Sequence, residues 1–457
     1  MSQPRARWPS HDALVTIVRP WLNTRRWFPA GNDSAIAVVS YWEHIIPYVS
    51  NDAARTYVLS TDQGYVQLPL VCTLNCPTPE QGFITKYGEM YLADGPAHPA
   101  WITSWFHEAT LDSFAPAFLK AQRVHATKFP LSPHVLSGEQ SNTSVLFSIA
   151  SQRMILKVYR VLCAGLHPDL EIGAALAAAK WPHISPPVAH SLICFPQHNG
   201  TENTALGALM CPFIPDATDG FTYFVDLARR RIDPFPAAER LGKVTADMHR
   251  ELCSALGHSE AADPLTLSRR ITSELALTVQ EVPQLDTDLY EKLQGLIDPL
   301  CDMTDIPVLM RIHGDYHLGQ TLLADRWYIV DFEGEPLRPI DQRRRPDLAL
   351  RDVAGMLRSF SYAQAQALRQ EDAYSVSATH SHWITQATRG FLQGYMQGKS
   401  LRSSEETLLK VLILEKAAYE LRYEYRMRPE WLSIPLDALR NLTENKPSQN
   451  SDRNYTF

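Results

Sequence analysis

The chain has 457 residues, 45% of them hydrophobic and 20% charged, with a formal charge of −7 at pH 7. This length exceeds one ordinary domain and predicts two or three. The acidic balance excludes a broad nucleic-acid surface. The seven cysteines (Cys72, Cys76, Cys163, Cys194, Cys211, Cys253, Cys301) are odd in number. Cys72 and Cys76 lack a second pair at zinc spacing, so buried thiols in a reducing compartment are expected rather than disulfides or a metal site. The first twenty residues hold no continuous apolar segment, and no uncharged run of about eighteen apolar residues occurs anywhere. A cytoplasmic protein without a membrane partner is the expectation.

Residues 12–30 open as an amphipathic helix, apolar at Leu14, Ile17, Val18, Trp21 and Leu22, and close on Arg25-Arg26-Trp27-Phe28-Pro29. Segments 36–42, 56–59, 65–72 and 83–92 alternate or run apolar between Gly, Pro, Asn and Asp turns, which predicts a small β module. Residues 93–135 turn Pro-, Ala- and aromatic-rich, with a helical piece at 101–117, and read as a connection.

The polar stretch Gly138-Glu139-Gln140-Ser141-Asn142-Thr143-Ser144 reads as a loop entering a strand at 145–149, and a second strand ends in Met154-Ile155-Leu156-Lys157-Val158-Tyr159. A charge inside an apolar strand is unfavourable unless paired. Glu171, fourteen residues later and just after Pro168 at a helix start, supplies a partner. In kinase layouts a loop covers the ATP phosphates, and a strand Lys contacts them while pairing with a helix Glu. Lys157 and Glu171 fit those places, and the hydroxyls and backbone amides of Ser141, Asn142, Thr143 and Ser144 fit the loop. A solvent-facing Lys with a first-turn Glu favoured by the helix dipole reads the same way, as does an ordinary polar hairpin without GxGxxG.

The apolar run 206–214, ended by Pro215-Asp216, reads as a hinge strand whose backbone meets the adenine, which puts a domain boundary near 214. Helical periodicity dominates from there, at 221–231, 238–256, 265–282 and 289–300. His249 on the second of these reads as a packing residue. The densest chemistry follows, in RIHGDYHLGQTLLADRWYIVDFEGEP (311–336). His313-Gly314-Asp315 is a polar turn with Gln320 five residues beyond its Asp, and the apolar run 327–330 delivers Asp331-Phe332-Glu333-Gly334. An Asp to take a hydroxyl proton, an amide, and a second Asp at a strand end form a set of hard oxygen donors suited to Mg²⁺ and phosphates. Asp315 is therefore the expected catalytic base, with Gln320, Asp331 and Glu333 as metal ligands. Each Asp alone could be a turn or capping residue.

HGD with an amide five residues on resembles the aminoglycoside-phosphotransferase branch of the kinase-like superfamily. The fuller strings HGDYHLGQ and DFEGEPLRP, the following LRDVAGMLRSF and the closing LEKAAYELRYEYRMRPEWLSIPLDAL are similar to maltokinases. In this last segment Lys416, Tyr419, Glu420, Tyr423, Glu424 and Met427 share one helical stripe, polar and aromatic together. Such a face suits a saccharide, although an exposed face with half-buried tyrosines has the same periodicity. The arginines at 338, 343, 344 and 345 read as a solvated face or ion-pair web, or as a phosphate contact.

The resemblance implies an α+β, bilobal protein-kinase-like fold: a cap subdomain at 1–92, the rest of a β-rich lobe at 93–214, and a helical lobe at 215–457. It implies ATP and Mg²⁺, with His317, Lys416, Tyr419, Glu420 and Tyr423 around the acceptor. The implied reaction phosphorylates maltose at its anomeric hydroxyl to maltose 1-phosphate, feeding α-glucan synthesis from trehalose-derived maltose, with a trehalose synthase as associate. Two alternatives remain open: the same machinery acting on an aminosugar such as glucosamine or on an aminoglycoside, for which Glu420 and Glu424 supply carboxylates and Lys416 is an obstacle, and a non-catalytic pseudokinase.

Overall fold

In this computed structural model the described residues are 8–29, 31, 34–113, 115–125, 130–136, 142–196, 201–335, 338–369 and 377–444. The chain divides into two compact units, one formed by Met1–Ala178, Ser185–Ile214 and Pro336–Gln342, the other by Ala179–Ile184, Pro215–Glu335 and Arg343–Phe457.

The first unit begins with helix α1 (His11–Leu22), whose first turn is capped by the Ser10 hydroxyl. Strands β1 (Ala37–His44), β2 (Ala53–Thr61), β3 (Gly64–Thr73), β4 (Phe83–Tyr87) and β5 (Met90–Asp94) form an antiparallel sheet in the order β1-β2-β3-β5-β4. The segment 83–92, expected as one strand, is a hairpin because Gly88 turns the chain at φ 58°. Leu14, Val18 and Leu22 of α1, with Trp27 and Phe28, pack on Tyr57, Leu59, Leu68 and Leu70 of this sheet.

The region 93–135, expected as a connection, contributes to the core through residues 99–108. Helix α2 (Pro99–Glu108) buries Trp101, Trp105 and Phe106 against Val71 and Ala93 on one side and Val145, Leu156 and Met210 on the other. Each such side chain contributes about 1.5–3 kcal/mol when fully buried. After β6 (Thr110–Leu111), α3 (Ala117–His125) and β7 (His134–Val135), a second antiparallel sheet is built from β8 (Asn142–Ile149), β9 (Gln152–Tyr159), β11 (Ala189–Pro196) and β12 (Glu202–Pro212). Its order is β6-β11-β12-β9-β8-β7. Between β9 and helix α4 (Pro168–Ala178), the two-residue strand β10 (Val161–Leu162) pairs with β3 of the first sheet. One run of backbone, 152–162, thus serves both sheets.

The second unit is mainly helical. Strand β13 (Thr218–Asp219) leads to α5 (Gly220–Arg229), α6 (Phe235–Leu256), the β14 strand (His258–Ala261), α7 (Pro264–Glu281) and α8 (Thr287–Ile297). Strands β15 (Val308–Met310), β16 (Thr321–Leu323) and β17 (Trp327–Ile329) frame the 311–336 stretch; β13, β16 and β17 form a small sheet. After the short α9 (Ile340–Arg343), which lies at the boundary between the units, come α10 (Ala349–Arg369), α11 (Ser377–Met396), α12 (Ser403–Met427) and α13 (Ser433–Thr443). Helix α10 turns Val353, Ala354, Met356, Leu357 and Phe360 inward and packs against α5 and α12. No helix among the described residues is long and apolar enough to cross a membrane.

Candidate functional site

In the first unit, register places Lys157 opposite Ser144 of β8 and Leu209 of β12. Its ammonium lies 3.2 Å from Asp169, in the first turn of α4 and two residues before the expected Glu171. The Tyr159 hydroxyl donates to the same Asp169 oxygen at 2.6 Å. Sequence reading passed over Asp169 because a first-turn carboxylate is ordinary helix chemistry. Burial pushes the Cys211 thiol up to about 12, with the Asp169 carboxylate adding to the shift, so it is a neutral neighbour.

The loop expected at 138–144 is corrected in part. Asn142, Thr143 and Ser144 are the opening residues of β8 and are buried. The Thr143 hydroxyl accepts from Arg160 Nε at 2.8 Å, which leaves it turned into the unit. Ser141 lies outside the described residues.

In the second unit the 311–336 stretch is a pair of bends locked together. Gly314 at φ 85° lets the chain reverse between His313 and Asp315, a conformation that favours glycine. The His313 ring, 1% exposed, donates from Nε2 to the Val330 carbonyl at 3.0 Å and lies 4.9 Å from the Phe332 ring. The residue before Asp331 is thereby tied to the HGD turn. Gln320 joins through its carbonyl, which accepts from the Val330 N–H at 3.0 Å. Asp331 itself sits at φ 69°, strained backbone of the kind that clusters at functional positions. Asp331 and Glu333 present carboxylate oxygens within 4.8 Å of each other. A pair of hard oxygen donors at this separation fits a divalent cation such as Mg²⁺.

The whole turn hangs on a residue sequence reading did not single out. Asp352 of α10, 1% exposed, accepts from the backbone N–H groups of His313 (2.8 Å) and Gly314 (3.0 Å) and contacts His249 Nε2 at 3.0 Å. The other His249 nitrogen meets the Tyr395 hydroxyl at 2.9 Å. Burial alone would push the Asp352 carboxyl up, but His249, His313 and the Gly314 N–H outweigh it and hold it below the ordinary Asp value. His249 is therefore more than packing. Close approach of α10 completes the arrangement, since a methyl on Gly355 would stand 2.6 Å from the Tyr316 carbonyl.

Around Asp315 the residues expected at the acceptor divide into two groups. The Lys416 ammonium lies 3.7 Å from Asp315 Oδ1 and 3.8 Å from Glu335 Oε1, and 5.3 Å from the Tyr419 ring centroid. Burial would lower its pKa, yet Asp315, Glu335 and Glu420 hold it above the usual Lys value, so the cation is permanent. His317 Nε2 is 4.0 Å from Asp315 Oδ2. Desolvation lowers the His317 pKa despite that carboxylate, with Lys416 and His313 adding to the fall, which favours neutral imidazole at pH 7.

Glu420 receives two contacts from the buried Arg358, Nε and Nη2 each at 2.9 Å. Further along α12, Glu424 is 1% exposed and bonded to the Tyr362 hydroxyl at 3.0 Å and to Arg428. Tyr423 is 38% exposed beneath the Arg428 guanidinium. The expected stripe is thus an upper part that faces the HGD turn and a salt-bridged lower part. Glu335, Arg358 and Tyr362 were not singled out from sequence. Only the repeated arginine and tyrosine spacing of α10 opposite α12 hints at them.

Two antiparallel sheets, one carrying a paired strand lysine, and a helical unit whose HGD turn is tied to a strand-end Asp define an α+β fold of the protein-kinase-like kind. No protein-family model matches the chain. It is 31% identical over 255 residues to a glucosamine kinase of Streptacidiphilus jiangxiensis, covering 50% of this chain and 56% of that one. A glucosamine kinase of Mycolicibacterium smegmatis (strain ATCC 700084 / mc(2)155) is 29% identical over 248 residues, or 50% and 60% of the two chains. The chain thus matches a little over half the length of these curated relatives. A glucosamine kinase solved with glucosamine, ADP and inorganic phosphate superposes with a TM-score of 0.64 at 22% identity, covering 95% of this chain and 99% of that one. A glucosamine kinase in its crystal form A gives a TM-score of 0.65 at 22% identity, covering 96% of this chain and 99% of that one.

Proposed function

We propose that the protein is an ATP-dependent sugar kinase and that its acceptor is an aminosugar of the glucosamine type. The observation that carries this reading is the Asp315 carboxylate, held on a turn anchored through Asp352 and flanked by Lys416 and His317. The similarity to glucosamine kinases supports the aminosugar.

Asp315 accepts the proton of the sugar hydroxyl as its oxygen bonds to the γ-phosphorus and the bond to the ADP oxygen breaks. Lys157, steadied by Asp169 with Glu171 in the same helical turn, contacts the nucleotide phosphates in this reading, with the backbone at Asn142 to Ser144 beside them. Asp331, Gln320 and Glu333 would hold Mg²⁺, which supplies charge neutralisation on the phosphates when bound. His317, Tyr419, Glu420 and Tyr423 orient the acceptor. Lys416 neutralises charge beside Asp315.

A second reading is maltose, phosphorylated at its anomeric hydroxyl to maltose 1-phosphate. The permanent cation of Lys416, 3.7 Å from Asp315, favours it, because a fixed ammonium repels a cationic acceptor. The resemblance of residues 313–320 and 414–439 to maltokinases points the same way, with a trehalose synthase as associate. The deciding experiment is ADP release with ATP and Mg²⁺ against glucosamine, maltose, glucose and trehalose. Turnover dependent on glucosamine is the expected result. Turnover with maltose alone selects the second reading, and no turnover with any sugar discards both.

A further inference from the structure

One buried cation of the first unit has no part in the chemistry above. Arg160 is 0% exposed and stands between β9, which carries Lys157, and β10, which pairs with β3. Its Nε donates to the Thr143 hydroxyl at 2.8 Å, its Nη2 pairs with Asp94 Oδ2 at 2.6 Å, and its guanidinium carbon lies 4.6 Å from the Trp27 ring centroid. These partners come from the start of β8, the end of β5 and the segment after α1. Gln67 of β3, 2% exposed, fastens the same point, donating Nε2 to the carbonyls of Tyr159 and Gly207 at 2.6 and 2.5 Å. Its backbone N–H donates to the Arg160 carbonyl at 2.8 Å.

A guanidinium buried this deeply is unfavourable unless its donors are matched, and an apolar residue would fill the same space without that demand. What the planar fork adds is geometry, because it fixes two acceptors at set angles. The acceptor on β8 matters most. Thr143 pairs with Val158 and Ser144 with Lys157, and a slip of one residue in this register would turn the β8 side chains beside Lys157 to the opposite face of the sheet.

We propose that Arg160 is a positioning residue through which the N-terminal sheet, by Asp94, Trp27 and Gln67, holds β8 against β9 and so sets the nucleotide-binding lysine. The inference rests on the kinase reading. It gives the N-terminal sheet a task in nucleotide binding rather than in acceptor choice.

The test uses the full chain with Arg160→Lys, Thr143→Val, Thr143→Ser and Asp94→Asn, measuring Mg·ADP binding by calorimetry, KM for ATP and for the sugar, and thermal melting. Arg160→Lys, Thr143→Val and Asp94→Asn are expected to weaken Mg·ADP binding and raise KM for ATP about tenfold, since small misplacements of a binding group are costly. KM for the sugar stays within about twofold, and Thr143→Ser, which keeps the acceptor, restores nucleotide binding. Asp94→Asn separates action through Arg160 from any direct contact of Thr143, and the isosteric Thr143→Val carries the decision if Arg160→Lys fails to fold. Lower melting with Mg·ADP binding at the wild-type level would reduce Arg160 to a purely structural role and overturn the proposal. A wild-type protein that binds no Mg·ADP would overturn the kinase reading first and this inference with it.

Discussion

Lys157 and Asp315 are both charged groups held in one place, and the two units hold them by different means. Lys157 sits in a regular strand whose position follows from ladder register with β8 and β12, and its direction from alternation. Asp315 sits in an irregular turn with almost no ladder of its own, and its place follows from a buried carboxylate thirty-seven residues further on. A strand spreads the work over many backbone bonds. The turn concentrates it in Asp352, so one substitution there should do what several would be needed to do in the sheet.

The largest effect should come from Asp315→Asn, which removes the proposed base. A fall in kcat of about 10²–10⁴-fold with Mg·ADP affinity unchanged is expected in an ADP-release assay. Retained turnover would move the chemistry off this turn. Asp352→Ala should follow closely, lowering kcat by about 10²-fold through the displaced turn. It should also lower stability by roughly 3 kcal/mol, since it leaves two buried amides and His249 without their acceptor. Denaturant unfolding with kinetics separates the two consequences. Lys157→Met should be milder and of another kind, raising KM for ATP about tenfold with a smaller effect on folding, because the sheet register survives. If Lys157→Met unfolds the protein as thoroughly as Asp352→Ala, the contrast between the units fails.

The smallest effect concerns pH. The folded-state pKa of Asp352 lies below its unfolded value of about 3.9. The stability it contributes is therefore present above that value and lost as pH falls through the folded pKa. Acid titration of stability between about pH 5 and pH 2 should show a component that Asp352→Asn removes. An unchanged profile in Asp352→Asn would mean that the carboxylate is not held as an anion.

Legibility in the sequence followed locality. The alternation of 65–72 and 154–159, the helical period of 404–427, and the HGD turn with Gln320 and the strand-end Asp331 are all written within about two dozen residues, where turn chemistry and periodicity operate. Residues 93–135 misled because Pro and aromatic content is shared by linkers and by tightly packed cores, and only the neighbouring sheets show that Trp101 and Trp105 are interior. Asp169 was hidden by its ordinariness at a helix start, and Thr143 by a polar stretch that continues as strand.

The sequence by itself determined most of the strands and helices, the two groups of acidic and amide residues, and the strand lysine, because each depends on spacing along the chain. Tertiary structure alone decided what holds them. His249 and Asp352 meet across 103 residues, Arg160 and Asp94 across 66, and Arg358 and Glu420 across 62. A buried ionic or polar contact of that span leaves no periodic trace, since each partner looks like a common polar residue until folding removes water from both.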